Sequence, residues 1–339
     1  MAKIAINGFG RIGRIFFRQA LGHKDIEIVA INDLGDIDNL AYLLQYDSVY
    51  RKFDKKVEVK NGNLVVDGRE IKILQIKEAN LLPWKELGID IVLESTGAFE
   101  SFEKAKVHLD AGAKKTVITA PSKDADGSFG QTVLMGINEG ELKSWNLTSN
   151  GSCTTNATSP VVQIMTETIG VQKALLNTVH AYTATQSIVD GPVKGGKDFR
   201  RGRAAAQNMS PSTTGAAIAL GRVIKEINGK FDGIAIRVPT VAGSIADITF
   251  LSKKKTTVEE VNSILERAAG SPRWQGILKT TRDQVVSSDI LGEPYGAIID
   301  LNFTKVVDGD LVKILSWYDN EWGYVSTLVK HIEGVAKLV

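Results

Sequence analysis

Among 339 residues the chain has a single cysteine, Cys153. No disulfide can form within it, which is consistent with a reducing compartment. Charge of one sign is also missing: 41 Lys and Arg stand against 39 Asp and Glu, a formal net charge of +2. No global field therefore argues for nucleic acid or a membrane surface as the main partner, and any anionic ligand must be held by local sites. No apolar run reaches spanning length. Met1-Ala2 leads directly into a strand-like stretch without a signal-peptide pattern, so no membrane partner and a cytoplasmic location are expected. The length suits about two domains with a large buried core.

What is present begins with Lys3 to Asn7, a short apolar run that passes into Gly8-Phe9-Gly10-Arg11-Ile12-Gly13. Ile12, Ile15, Phe16, Gln19 and Ala20 then follow at helical spacing, and Glu27 to Ile31 forms a second strand ending at Asn32-Asp33. Strand, glycine turn, helix and strand, with an acid about 20 residues beyond the turn, make a dinucleotide-binding pattern. Gly8, Gly10 and Gly13 give a tight turn and let a pyrophosphate approach bare backbone at a helix N-terminus. A carboxylate at Asp33 accepts from ribose hydroxyls and repels a 2′-phosphate, and Leu34 beside it offers no compensating cation, so NAD is favoured over NADP.

Further strands are expected at 89–94, 116–121 and 133–137, with a helical run over 102–109 and hairpins around Asn61-Gly62 and Asp67-Gly68. Ligands of a parallel sheet sit at the carboxyl ends of its strands, which nominates Thr96, Gly97 and Thr119 as cofactor neighbours. From Leu175 onward, alternating runs such as 233–239 and 244–251 suggest an antiparallel or mixed sheet with one covered face. Between them, Asp190 to Met209 reads as a long functional loop. Of its cations, Lys194, Lys197, Arg200 and Arg201 read as a solvated face, and Arg203 is kept as a site candidate.

Cys153 lies in the run 149–156, which is too small and polar to read as core. A helix N-terminus and an imidazole are the usual devices for making a thiolate. Val161 to Thr168 is helix-compatible and closed by Gly170, Pro160 predicts a kink, and His180 is the candidate base. His23, His108 and His331 match no catalytic motif and read as surface or packing residues.

The runs 149–156, 180–186, 212–217, 237–240 and 316–324, in order along the whole chain, closely resemble the glyceraldehyde-3-phosphate dehydrogenase family. The resemblance implies a Rossmann-type dinucleotide-binding domain plus an α+β catalytic domain, an α/β fold overall. It divides the chain into 1–152 for NAD, 153–316 for catalysis, and 317–339 as a C-terminal helix returning to the first domain. It implies Cys153 as nucleophile and His180 as base, with Arg11, Ile12, Asp33, Lys77, Thr119 and Asn320 contacting NAD. Thr183 and Arg237 would bind the substrate phosphate, and Ser152, Thr154, Thr214, Gly215 and Arg203 would line the site of inorganic phosphate. The implied substrates are glyceraldehyde 3-phosphate and inorganic phosphate, the implied assembly a homotetramer, and no metal is expected. Gly151, Ala157, Thr185 and Ile218 depart from residues common in relatives. The sister erythrose-4-phosphate dehydrogenases, the phosphorylating semialdehyde dehydrogenases and a binding protein without catalysis are the rivals. The run Thr214 to Ala217 and the intact Cys153, His180, Arg237 and Asn320 speak against them.

Overall fold

The computed structural model describes residues 1–193 and 197–339, so Lys194 lies outside the described residues. The chain divides into two compact units, one of Met1–Gly151 with Leu328–Val339, the other of Ser152–Thr327.

The first unit contains β1 (Ala2–Asn7), α1 (Arg11–Ala20), β2 (Ile26–Asn32), α2 (Ile37–Gln45), β3 (Val57–Lys60), β4 (Asn63–Val66) and β5 (Arg69–Leu74). It continues through β6 (Ile91–Glu94), α3 (Phe102–Ala105), α4 (Val107–Asp110), β7 (Lys115–Ile118), β8 (Gln131–Thr132) and β9 (Leu147–Ser149). Its sheet runs β3-β4-β5-β2-β1-β6-β7-β9-β8. Pairing is parallel from β5 to β8, and β3, β4 and β5 form an antiparallel edge. β6 and β7 are buried along their whole length, as strands covered on both faces must be. The two hairpins turn on Asn61-Gly62 (φ 52° and 75°) and Asp67-Gly68 (φ 47° and 80°). Two successive left-handed residues give the type I′ turn that matches strand twist.

Chain order reverses at β1, which has β2 on one side and β6 on the other. In a parallel sheet this is where a crevice opens at the strand ends.

Two expectations in this unit change. The run 133–137 is a buried segment ending in a turn, not a strand: Gly136 takes φ 79°, and the Ile137 and Asn138 amides both donate to the Leu134 carbonyl. The strand beside β7 is instead β9, built from the mixed polar run Leu147-Thr148-Ser149. The helix expected over 102–109 is broken at Lys106 into α3 and α4.

The second unit contains α5 (Cys153–Thr168), β10 (Val171–Ala181), β11 (Ser210–Thr213), α6 (Ala216–Val223), β12 (Phe231–Val238) and β13 (Ser244–Ser252). There follow α7 (Val258–Ala269), β14 (Leu278–Thr281), β15 (Ala297–Val307), β16 (Leu311–Tyr318) and α8 (Trp322–Ala336), the last of which runs on into residues counted with the first unit. The sheet order is β11-β12-β10-β13-β16-β15-β14, mixed, with β10·β12 and β14·β15 parallel. Side chains alternate strictly between buried and half-buried along β13, so one face is covered, by α5 and α7 among others. Trp317, expected to open the segment returning to the first domain, pairs with Ile245 and Ile298 inside this sheet. The residues grouped with the first unit begin at Leu328.

Helix α5 runs through Pro160, the residue expected to kink it, and is continuous over 16 residues. Proline forfeits one helical hydrogen bond, here the one an N–H would have made to the Asn156 carbonyl, and a helix buried along most of its length tolerates that loss.

In the first unit His331 is fully buried, with Nε2 2.8 Å from Thr148 Oγ1 and Nδ1 3.3 Å from Asn150 Oδ1. Burial pushes its pKa down to about 4. Above pH 6.5 the ring is neutral folded or unfolded. As pH falls from about 6.5 toward about 4, the unfolded chain takes up a proton that the folded unit excludes, and stability is lost. His331→Leu should remove about 3 kcal/mol of that acid-dependent loss, read from unfolding free energies between pH 7 and pH 4. An unchanged slope would place the titration elsewhere.

Candidate active site

Ser152 caps α5. Its Oγ accepts the Thr155 amide at 3.1 Å, and Thr155 Oγ1 accepts the Ser152 amide at 3.2 Å. This reciprocal pair fixes the helix start so that Cys153 is its first residue, at the positive end of the dipole. The run 149–156 is therefore not outside the core, as its polarity suggested. Ser149, Asn150, Thr154, Thr155 and Asn156 are buried, their polarity absorbed by the cap and by local bonds such as Asn156 Nδ2 to the Ser152 carbonyl.

Cys153 itself is half-buried, with Sγ 3.4 Å from His180 Nε2. His180 comes from the carboxyl end of β10, and parallel pairing with β12 sets it directly opposite Arg237. Its Nδ1 lies 2.6 Å from the Ala181 carbonyl and 2.6 Å from Arg237 Nη1, which also donates to that carbonyl at 3.1 Å. The carbonyl only accepts and the guanidinium only donates, so the two contacts ask opposite things of Nδ1; action as a base on the sulfur requires the tautomer with the proton on Nδ1 and the Nε2 lone pair toward Sγ. Burial, then the Arg237 charge, hold the His180 pKa down to about 3, and burial pushes the Cys153 thiol up against the pull of Arg237. The resting pair is a neutral thiol facing a neutral base.

Tyr318, on β16, buttresses this pair. Its hydroxyl lies 2.9 Å from Thr154 Oγ1 and 2.7 Å from Thr178 Oγ1, and its ring meets His180 edge-on at 5.8 Å. Sequence reasoning quoted Tyr318 only as part of a motif. A tyrosine at the end of an alternating strand gives no signal of what its hydroxyl meets.

Beside Arg237 a group of hydroxyls gathers around Arg201, whose Nε lies 3.9 Å from an Asp198 carboxylate oxygen. This guanidinium donates to Thr185 Oγ1 at 3.3 Å and Ser212 Oγ at 3.2 Å, and Thr183 Oγ1 lies 3.0 Å from Thr185 Oγ1. Arg203, the arginine nominated from sequence, points elsewhere: it is exposed, and its Nε pairs with Asp190 at 2.9 Å. The short 3-10 turn at Phe199–Gly202 turns successive side chains in different directions, so spacing alone did not distinguish Arg201 from Arg203. Thr214 and Gly215 lead into α6, where Thr214 Oγ1 accepts the Ala216 amide at 3.2 Å. Among the described residues neither bonds to Cys153, His180 or Arg237. Thr154 Oγ1 lies 2.9 Å from the Tyr318 hydroxyl and also hydrogen-bonds Cys153, and Ser152 carries the cap.

In the first unit the three turn glycines have separate reasons. A Cβ on Gly8, at φ 94°, would lie 2.6 Å from the Thr96 amide, and one on Gly13 would lie 2.2 Å from the Gly8 carbonyl oxygen. At Gly10 a Cβ would meet nothing within 4 Å. The space beside Gly10 is thus open at the N-terminus of α1, the position where dinucleotide turns of this kind receive a pyrophosphate. Asp33 follows β2, with its carboxylate pinned by the Phe9 amide at 2.6 Å and the Gly35 amide at 2.8 Å. Ile12 is half-buried in the first turn of α1, and Arg11 is turned to the Asp47 carboxylate. Thr96 and Gly97 follow β6, Thr119 follows β7, and Lys77 is exposed after β5. Asn320 lies in the second unit, where Oδ1 accepts the Gly243 amide and the Ser244 hydroxyl, each at 3.0 Å; this commits its oxygen and leaves the amide N–H2 to donate.

A strand-order switch point with that turn at its mouth defines a dinucleotide-binding domain. Comparison with known proteins makes the class specific. Residues 2–102 match the model of the glyceraldehyde 3-phosphate dehydrogenase NAD-binding domain, and residues 152–320 match that of the C-terminal domain. The chain is 50% identical to glyceraldehyde-3-phosphate dehydrogenase of Thermotoga maritima over the full length of both, and 47% identical to that of Borreliella burgdorferi, covering 99% of this chain and 100% of the relative. With that of Eremothecium gossypii it shares 45% over 99% of each chain. The chain belongs to the glyceraldehyde-3-phosphate dehydrogenase family, NAD-dependent oxidoreductases of glycolysis.

Arg201→Ala should lower kcat/KM for the phosphorylated aldehyde by about tenfold or more, the loss of a charge-assisted contact, while Arg203→Ala stays within about twofold. Steady-state kinetics on both variants checks this, and the reverse order would restore Arg203 to the site.

Proposed function

We propose that this chain oxidises glyceraldehyde 3-phosphate to 1,3-bisphosphoglycerate, with inorganic phosphate and NAD as co-substrates, through a thioester on Cys153. The observation that carries the reading is the Cys153 Sγ to His180 Nε2 contact of 3.4 Å at the first turn of α5, flanked by Arg237 and Arg201.

The thiol adds to the aldehyde carbon as its proton passes to Nε2 of His180, giving a hemithioacetal. Its oxygen finds two donors, the imidazolium and the Cys153 amide, one of the first-turn N–H groups that no helical carbonyl can reach. Bound NAD supplies the acceptor for the hydride that leaves this carbon. The imidazolium passes its proton to the hemithioacetal oxygen and takes it back as the hydride leaves, which gives a thioester that retains the oxidation energy and leaves His180 protonated. A phosphate oxygen then attacks the thioester carbonyl, the Cys153 sulfur leaves and regains a proton from His180, and the acyl phosphate departs. A substrate phosphate on Arg237 also has an electrostatic effect. It cancels the charge that helps hold His180 down, so the base strengthens when the site fills.

NAD fits this chain's own residues: Gly8, Gly10, Gly13, Arg11, Ile12, Asp33, Lys77, Thr96, Gly97 and Thr119 around the dinucleotide, and Asn320 at the nicotinamide amide. Ser152, Thr154, Thr183, Thr214, Gly215 and Arg237, with Arg201 in place of Arg203, serve the two phosphates.

Purified protein should form NADH from glyceraldehyde 3-phosphate only when inorganic phosphate is present, with erythrose 4-phosphate a poor competitor. His180→Ala should lower that rate by about two to four powers of ten. Undiminished turnover in the variant, or turnover indifferent to phosphate, would refute the mechanism.

The assembly proposed is a homotetramer, and the location cytoplasmic. Support for assembly comes from the second face of the seven-stranded sheet, where Leu175, Ile234, Leu311 and Val307 are exposed and Asn177 Oδ1 is shielded without a hydrogen-bond partner. Sedimentation equilibrium should give four chains for the wild type and a smaller species for Leu175→Asp with Ile234→Asp, whereas a wild-type monomer would end the proposal.

A further inference from the structure

Beneath the dinucleotide crevice, the last residues of three adjacent parallel strands lie on one rung of the sheet. Asn7 ends β1, Asn32 ends β2 and Glu94 ends β6, and Asn7 is in register with both others. All three are buried polar groups. Each directly precedes a turn assigned above to the cofactor: Gly8 to Gly13, Asp33, and Thr96 with Gly97.

The rung is wired side chain to side chain. Glu94 Oε2 accepts Asn7 Nδ2 at 2.6 Å and lies 2.9 Å from His108 Nε2, while Oε1 accepts both the amide and the hydroxyl of Thr96. Asn7 Oδ1 accepts Asn32 Nδ2 at 2.8 Å, and Asn32 bridges both backbone groups of Ile76, next to Lys77. His108, fully buried on α4, is fixed from its other side, where Trp84 Nε1 donates to Nδ1 at 3.2 Å. An indole N–H cannot accept, so Nδ1 holds a lone pair and the ring proton sits on Nε2, aimed at Glu94. Four donors therefore converge on one carboxylate, filling its acceptor positions.

A fold alone does not need this. The burial of Glu94, His108, Asn7 and Asn32 carries a desolvation cost that apolar residues would avoid. What the rung does is couple the turns. The Thr96 amide, held by Glu94, is the atom that a Cβ on Gly8 would strike at 2.6 Å, so the two turns already rest against each other, backbone on backbone. Asn32 is the residue before Asp33, and its side-chain bonds to Asn7 and Ile76 hold that end of β2 in place. None of these four side chains is among those assigned to NAD.

We propose that Asn7, Asn32, Glu94 and His108 are positioning residues that set the affinity for NAD by locking three cofactor-contacting turns in one arrangement, without taking part in the chemistry at Cys153. The proposal rests on the NAD site read above.

The discriminating variant is Glu94→Gln, nearly the same size. A carboxamide puts an N–H2 where two donors, Asn7 Nδ2 and His108 Nε2, already point, and the rung comes apart. The dissociation constant for NAD, from direct titration, should rise about tenfold, with kcat at saturating NAD within about twofold of wild type. Adding Asn7→Asp moves the carboxylate one strand along the rung, where it accepts from the carboxamide introduced on β6, from Asn32 and from His108, whose Nε2 is 3.5 Å from the Asn7 nitrogen. This double variant should return to within about threefold of wild-type affinity. Packing alone predicts no such rescue. A single variant that binds NAD normally, a double variant no better than the single, or a kcat that falls with the affinity would each overturn the proposal.

Should Glu94→Gln not fold, His108 provides the same test. His108→Gln offers an acceptor to Trp84 and a donor to Glu94 and should retain affinity, whereas His108→Leu should lose it; equal affinities would count against the rung. Asp33→Gly separates the two readings. If it neither weakens NAD nor relaxes discrimination against NADP, the site reading itself is at fault. If it does both while the Glu94 and His108 variants bind normally, only the rung is refuted.

Discussion

The reciprocal cap between Ser152 and Thr155 decides where α5 begins, and the chemistry of the second unit hangs on that one residue of register. Were the helix to start a residue later, Cys153 would leave the first turn and its amide would lose the place that makes it a spare donor. The second requirement is the parallel pairing of β10 with β12. It sets His180 and Arg237 side by side on neighbouring strands, and Tyr318 closes the arrangement from β16. Helix start and strand register thus place a sulfur, a base and a cation within reach of one another, the first through a side-chain cap and the second through the backbone ladder.

The electrostatics of this arrangement favour restraint before substrate arrives. A thiol pushed up by burial and an imidazole pushed down by burial and a neighbouring guanidinium form a neutral pair. Such a pair is less prone to stray alkylation or oxidation than a standing thiolate. In the proposed mechanism an incoming phosphate neutralises Arg237, and the cation that takes the substrate then ceases to suppress the base.

Much of this was legible in the sequence where local rules dominate. The turn from Gly8 to Gly13 declared itself through strand, helix and acid at fixed offsets, and Asn61-Gly62 and Asp67-Gly68 announced hairpins through left-handed backbone preferences. The alternating runs of β12 and β13 gave a mixed sheet with one covered face. What failed depended on partners distant in sequence. Leu147 to Ser149 became a strand because β7 offers an edge, while the more apolar 133–137 did not, since Gly136 turns the chain. The polarity of 149–156 suggested a place outside the core, yet its buried hydroxyls and amides found hydrogen-bond partners. Arg201 and Arg203 are equivalent by composition, and only the turn at Phe199–Gly202 separates their directions. The histidines read as surface or packing residues divide likewise: His23 pairs with Glu333 at the surface, whereas His108 and His331 are buried polar hubs. A lone histidine on a helix carries no mark of which it will be.

Leu328, His331, Ile332 and Val335 are buried in the first unit, where His331 meets Thr148 and Asn150. On the ribosome the order of synthesis then differs from the order of completion. The first unit begins to emerge before the second but lacks part of its core until residues 328–339 have been made, whereas residues 152–327 are contiguous and can close on themselves as soon as they are free. Its nine-stranded sheet must wait through the translation of a whole neighbouring unit with β9 short of its cover, and that interval is when a chaperone would find the most to hold.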